Sequence, residues 1–492
     1  MLEDIKHTGR KSIAYSIGNI FVKIVGFLLL PFYTTYLTVA EYGTLAIIES
    51  TILILLPLIS LNMQQALVRF FHEKYPKNII LSNTLIFILL NSILLNLFLQ
   101  PFSKKIAQLL FNNPHYGILI SIMLINLVLN SLLTLVKNYY NANEKALKYS
   151  LTNILFYTLV FIFTIYFLVV KKIGLKGILL AQTLAFSTLL IIVSAEYLKN
   201  SFPIKISFGL GKKMLNYSSP VAFSQISSMV FSFGDRYVLN FIDNRHAVGL
   251  YSMAVKFVNL SDIAILQSFQ QAYMPYAFKQ NKKENFKELH SRLTTYLIFT
   301  LFFAGLGISL FAREILIIFS PKNPAYWQAA MYIPLIVFLK PLAGLRFMWG
   351  LGLHIAKKTR PIPLMVIFGA TLNIGLNIVL IRLMNVYGAI ISSFISFLIM
   401  DAIYYYFSMR TYKVKYELDR IIFLFLYSVP FLASFYLLKD INLFIGLGLK
   451  LIILLLYPLI LWVTGFVRRD EKELVMGFIK KYKQRLKNRS QG

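Results

Sequence analysis

The residues of this chain with chemical potential are charged side chains set inside long apolar runs. Lys23, Arg69, Arg236, Lys256, Lys340 and Arg346 are the embedded bases read as substrate-binding. Glu49, Asp235, Asp262 and Asp401 are the embedded acids. A charge at the centre of a bilayer costs at least ~2.5–3.5 kcal/mol, so such groups face a water-filled cavity or a partner. Lys23 carries the sharpest expectation. It lies about mid-way along its apolar run, on a stripe formed by Ser12, Ser16, Asn19, Lys23 and Gly26. Those steps of three and four place the stripe on one helical face, and the run holds no acid of its own. A cation in a low-dielectric cavity selects an anion such as phosphate. The acids read as coupling or ion-pair groups, with Asp235 and Lys256 close enough in register to pair. Arg69 also reads as an inner-end anchor, and a seventh cation near a span end, Lys450, reads as snorkelling to the interface.

Other chemistry is nearly absent from the sequence. The six histidines are scattered and there is no cysteine, so no metal or thiolate constellation is predicted. There is no phosphate-cradling glycine loop of the ATPase type. No catalytic residue, metal or bound cofactor is expected. The transport step would draw on a coupling ion, H+ or Na+, or on the membrane potential.

The elements that must hold these groups are membrane helices. Of 492 residues, 58% are apolar and 14% charged, with a mean hydropathy of +0.67. A soluble domain is about 25% charged. Fourteen apolar stretches long enough to span are predicted, beginning with 12–37, 43–70 and 78–102, and ending with 421–438 and 443–466. The first stretch is too long for a cleavable leader. With the N-terminus inside, 34 Lys and Arg fall at inner ends and 10 at outer ones. That bias predicts both termini on the cytoplasmic side of the inner membrane. The formal charge of +30 then reflects topology and not nucleic-acid binding.

Two parallel halves are predicted. Residues 1–210 form an N-lobe of six spans, and 211–409 a C-lobe of six. Residues 410–466 form an extra pair, and 467–492 a basic cytoplasmic tail. Leu474, Phe478 and Leu486 recur in the tail at helical spacing, which predicts a surface helix on anionic lipid. Lys11-Ser12-Ile13-Ala14-Tyr15-Ser16 opens the first span and Lys213-Met214-Leu215-Asn216-Tyr217-Ser218 the seventh. The connection 199–213 reads as the hinge between lobes.

Three segments together resemble the polysaccharide flippases of the multidrug/oligosaccharidyl-lipid/polysaccharide exporter superfamily. They are Pro31-Phe32-Tyr33-Thr34-Thr35-Tyr36-Leu37 with Glu41-Tyr42-Gly43; Ala66-Leu67-Val68-Arg69-Phe70-Phe71; and Gly234-Asp235-Arg236-Tyr237-Val238-Leu239 with Val248-Gly249-Leu250-Tyr251-Ser252-Met253-Ala254. The chain is also similar to lipid II flippases. The resemblance implies an all-α polytopic fold with two six-helix lobes in a V that alternates access, plus the C-terminal pair. It implies a polyprenyl-pyrophosphate-linked oligosaccharide as cargo, membrane lipids as surroundings, and polysaccharide assembly proteins as further partners. It also implies that Lys23, Arg69 and Lys256 meet the pyrophosphate. The alternatives are a lipid II flippase and a cation-coupled multidrug antiporter. A membrane glycosyltransferase or polymerase fits less well, because the outer connections are too short for an enzyme surface.

Overall fold

The structure, a computed structural model, describes Gly18 and residues 21–441, 443–468 and 470–473. The described residues are helical, with no strand among them. In chain order the first helices are α1 (Phe21–Tyr36), α2 (Val39–Ser60), α3 (Met63–Phe70), α4 (Lys77–Leu99), α5 (Ser103–Phe111), α6 (Gly117–Ala142), α7 (Ala146–Ile165), α8 (Gly174–Ser201) and α9 (Phe208–Ile242). They are followed by α10 (Arg245–Ser261), α11 (Ser268–Gln280), α12 (Phe286–Leu310), α13 (Ala312–Phe319), α14 (Ile333–Val337), α15 (Leu339–Ile355), α16 (Ile362–Thr411), α17 (Leu418–Leu438) and α18 (Leu443–Val463). The amphipathic tail helix expected around Leu474, Phe478 and Leu486 lies outside the described residues, as do Ser12, Ser16 and Asn19.

Eleven helices among the described residues are long and apolar enough to cross a membrane. Four of the expected stretches account for the difference of three from fourteen. Only 21–36 of the first is described as a helix. The seventh, α9, is 35 residues long but carries too many polar groups to pass on apolarity. The eleventh and twelfth run together as the 50-residue α16, interrupted by Asn385 at φ 50° and ψ −127°. Just beyond it a Cβ on Gly388 would stand 2.1 Å from the Leu380 carbonyl oxygen, so only glycine fits that turn.

The helices are inverted relative to those of a soluble protein. On α4, Ser82, Asn83, Thr84 and Ser92 are fully buried, while Leu90, Leu94, Leu97 and Phe98 are exposed. Water would penalise that arrangement; hydrocarbon favours it, because polar groups must find partners inside the bundle. Asn83 shows how. Its amide NH2 donates to the Ser207 carbonyl and its oxygen accepts from the Ser207 N–H, both at 3.1 Å. Ser82 donates to the Ser201 carbonyl at 3.1 Å, and Asn78 to that of Pro203 at 3.1 Å. The connection 202–207 is thereby laced to α4.

Two compact units make up the chain. Unit one contains residues up to Ala254, Leu316–Ala329 and Thr359–Ile403; unit two contains Val255–Ile315, Ala330–Lys358 and the chain from Tyr404.

Unit one is built around the two glycine-tyrosine segments noted in the sequence. Thr38 caps α2: its hydroxyl accepts from the Glu41 N–H at 3.2 Å, and Glu41 Oε2 accepts from the Thr38 N–H at 2.8 Å. Tyr42 packs edge-on to Tyr326, whose hydroxyl donates to the Thr38 carbonyl at 3.1 Å. A Cβ on Gly43 would lie 1.9 Å from the Arg245 carbonyl oxygen, and one on Gly249 would lie 2.1 Å from that of Val39. The starts of α2 and α10 therefore touch backbone to backbone, and each segment supplies the glycine that permits it. Further along, α2 contains Pro57 and ends at Leu61 and Asn62, both left-handed (φ 47° and 51°). The carbonyls freed there are taken up by Asn91, whose amide donates to Leu58 (3.0 Å) and Ile59 (2.6 Å). Asn62 in turn donates to Gln225 of α9 at 2.8 Å.

Unit two is centred on α12. His290 is fully buried between the rings of Tyr273 and Phe286. Its Nδ1 lies 2.7 Å from the Tyr273 hydroxyl; its Nε2 lies 3.2 Å from both the Met348 carbonyl and the Tyr416 hydroxyl. One imidazole thus ties α11, α12, α15 and the approach to α17.

Candidate functional site

The embedded charges fall into two sets, one in each unit. In unit one Asp235 and Arg236 stand side by side on α9, both buried. Asp235 Oδ2 accepts from the Tyr251 hydroxyl, and Oδ1 accepts from the Arg236 N–H at 2.8 Å. The Arg236 guanidinium lies 3.8 Å from Asp235 Oδ1 and donates through Nε to Ser252 Oγ at 3.2 Å. It also covers the Phe233 ring at 4.8 Å. Breaking a buried, hydrogen-bonded pair leaves a bare charge. Tyr251 and Ser252 come from the segment that the sequence paired with Gly234-Asp235-Arg236, so these motifs meet in one cluster. Asp235 takes bonds from the Tyr251 hydroxyl and the Arg236 N–H.

Glu49 sits on the exposed side of α2, within electrostatic reach of Tyr33, Tyr42 and Tyr157. Lys23 is half-buried on α1, whose backbone keeps helical dihedrals at Leu29 (φ −74°, ψ −19°), two residues before Pro31. Arg69 is exposed at the end of α3, 4.6 Å over the Tyr217 ring and 3.9 Å from Glu73. Asp401 is buried on α16.

In unit two Lys340 donates to Asn259 Oδ1 at 2.6 Å. Asp262 opens a π-helical stretch, Asp262–Gln267, and accepts from Gln267 at 3.0 Å. Such wide turns in a helix recur at functional sites. Lys256 and Arg346 are half-buried on α10 and α15. The cations Lys256, Lys340 and Arg346, with Asp262 as an embedded acid, belong to this unit.

Lys450 corrects the sequence reading. It does not snorkel: its side chain is 1% exposed, and Nζ donates to Glu314 Oε1 at 2.5 Å. Glu314 follows the break between α12 and α13 and reads in the sequence as a loop residue, so the pair was not foreseen. Lys137 was not singled out in the sequence. It lies within α6 and places its ammonium 5.4 Å over the Tyr149 ring. Asn130 and Thr134 precede it at helical spacing; a stripe of three polar residues ending in lysine was the available signal.

A separate charge cluster fixes the start of the tail. Arg420 donates to Glu417 Oε2 at 2.8 Å and to both Glu471 oxygens at 3.1 and 3.0 Å. Tyr296 donates to Glu471 at 2.6 Å, and Arg468 Nη2 lies 2.7 Å from Glu417. Burial pushes the Glu471 carboxyl up, but the Arg420 and Tyr296 hydrogen bonds outweigh it and hold it below the usual carboxylate range.

A family model described as polysaccharide biosynthesis protein matches residues 8–280, and the MatE model matches residues 220–379. The fold is similar to that of the lipid II flippase MurJ in an inward-closed conformation: TM-score 0.73, 18% identity, covering 92% of this chain and 99% of that one. It is similar to an inward-facing multidrug resistance MATE family transporter of the MOP superfamily: TM-score 0.68, 13% identity, covering 83% and 98%. It also resembles a MOP superfamily transporter from Pyrococcus furiosus: TM-score 0.61, 14% identity, covering 84% and 95%. No curated protein sequence matches the chain.

Proposed function

Because the chain belongs to the polysaccharide biosynthesis protein family, we propose that it is a flippase that carries polyprenyl-pyrophosphate-linked oligosaccharide units across the cytoplasmic membrane. The family match carries this reading, and it agrees with a multi-pass fold shared with flippases and transporters of the MOP superfamily. The chain acts as a transporter and not as an enzyme. It works by alternating access, with residues 1–210 and 211–409 as the two lobes and both termini in the cytoplasm.

The substrate's anionic end selects the residues. A pyrophosphate carries its charge on oxygens that accept charge-assisted hydrogen bonds. Lys23 and Arg69 are the unit-one cations assigned to it, and Lys256, Lys340 and Arg346 those of unit two. Arg236 belongs to the same set by sequence, but its bonds to Asp235 and Ser252 favour a supporting role. Glu49, Asp262 and Asp401 are the acids assigned to ion coupling, with H+ or Na+ as the ion. A second reading, transport of lipid II, is supported by the fold shared with MurJ over 92% of the chain.

Complementation separates the two. A strain lacking its own polysaccharide-unit flippase should recover surface polysaccharide when it expresses this chain. Rescue only of a strain depleted of its lipid II flippase would favour the second reading.

A further inference from the structure

Unit one carries a cavity of about 370 Å³ between the end of α5 and the α9–α10 turn. Its lining includes Gln108, Asn112, Asn240, Phe241, Asp243 and Arg245. All lie at the end of the unit that the distribution of Lys and Arg assigns to the outer face. Arg245 is half-buried, with its guanidinium 5.3 Å from the centre of the Tyr116 ring, and it forms no ion pair among the described residues. Gln108 donates to Asn112 Oδ1 at 3.0 Å, Asn240 to the Leu110 carbonyl at 2.5 Å, and Asn244 to Asp243 Oδ1 at 2.8 Å. Those bonds fix the side chains and leave polar capacity in the cavity: the Gln108 carbonyl, the Asn112 amide NH2, the second Asp243 oxygen and the guanidinium. Phe241 adds an aromatic ring that is 56% exposed.

This mixture discriminates among ligands. A simple anion would be opposed by Asp243, a simple cation by Arg245, and an apolar molecule by six polar side chains, Asn244 included, that it would leave dry. A sugar ring meets every requirement. Its hydroxyls both donate and accept, and its C–H face packs on an aromatic ring. The volume falls in the range of small-molecule sites. We propose that this cavity is a glycan-binding subsite, which takes a sugar of the cargo's oligosaccharide at the outer face. The assignment of the sugar to a lipid-linked cargo rests on the flippase reading above; the assignment of the cavity to a sugar does not.

The chain has no cysteine, so Leu109→Cys, at a 70% exposed lining position, gives a single label site. Maleimide labelling of that purified protein should slow severalfold in millimolar cellobiose or chitobiose. The protection should vanish when Asp243→Ala and Arg245→Ala are added. Labelling unaffected by either sugar, or protection that survives the added substitutions, overturns the site. In proteoliposomes, Asp243→Ala/Arg245→Ala should lower the ratio of oligosaccharide-linked to single-sugar-linked polyprenyl pyrophosphate transported by about tenfold, the loss expected for one charge-assisted hydrogen bond. An unchanged ratio contradicts the subsite. If the unmodified protein moves neither lipid, the flippase reading fails, and the labelling result alone decides the sugar site.

Discussion

Replacing Lys450 by methionine strips the Glu314 carboxylate of its hydrogen-bonded cation inside unit two. The ammonium is 1% exposed and the carboxylate 18%. Removing one partner of a buried pair costs about 3–5 kcal/mol, because the remaining charge stays buried without compensation. Glu314 keeps some access to solvent, so Lys450→Met belongs at the lower end, about 3 kcal/mol. Glu314→Leu leaves the more deeply buried ammonium alone and belongs at the upper end, about 5 kcal/mol. The double variant Lys450→Met/Glu314→Leu removes both charges and should return to within about 1 kcal/mol of the parent, since apolar packing replaces a buried pair at little cost. Unfolding by SDS titration of the protein in mixed micelles, followed by tryptophan fluorescence, reads all three; Trp349 and Trp462 lie in the same unit. A Lys450→Met variant within about 0.5 kcal/mol of the parent would show a surface-like contribution. That outcome would refute the argument and restore the snorkelling lysine.

Three further outcomes follow from other sites. Asn91→Leu should destabilise unit one by about 1–3 kcal/mol in the same titration, because the Ile59 carbonyl loses its donor and the Leu58 carbonyl keeps only the Leu61 N–H at 3.4 Å; an unchanged midpoint would mean that water takes over the cap. Glu471 has a depressed folded pKa, so its contribution is present above the unfolded value near 4.3 and is lost as pH falls through the folded one. Lowering pH through the acid range should therefore destabilise the parent more than Glu471→Gln, and parallel pH profiles would contradict the Arg420 contact. Lys23→Ala should abolish cargo transport with normal protein levels, whereas Lys23→Arg should keep part of it, because a point-charge contact needs charge more than shape. Full activity of Lys23→Ala would remove Lys23 from the head-group site.

The helical membrane fold was legible because hydrocarbon imposes length and apolarity on each span. The segments Glu41-Tyr42-Gly43 and Val248-Gly249-Leu250-Tyr251 stood out in the sequence, and the structure shows what their residues do. Glu41 closes a capping box, Tyr42 packs on Tyr326, and the glycines let α2 and α10 meet. The break at Leu61 and Asn62 was not legible. Neither is glycine or proline, and the bonds that support it come from Asn91 and Gln225, far away in sequence. Ion-pair partners were the least legible part of the site. Apolar periodicity locates a buried charge but says nothing about which helix carries its counter-ion. Hence Glu314 was read as a loop residue, and Tyr251 was not foreseen as the donor to Asp235. Lys137 was missed because a positive charge near a span end is taken for a topology signal before it is taken for a ligand.

The central claim is that this chain moves a glycolipid with an anionic head group between leaflets. Purified protein in proteoliposomes, loaded with a polyprenyl-pyrophosphate-linked oligosaccharide on one leaflet, tests it directly through the fraction that becomes accessible to an impermeant glycosidase on the other side. The account predicts protein-dependent exposure of the cargo that falls in Lys23→Ala. Exposure no faster than in protein-free vesicles, together with ion-driven efflux of cationic drugs by the same preparation, would contradict it.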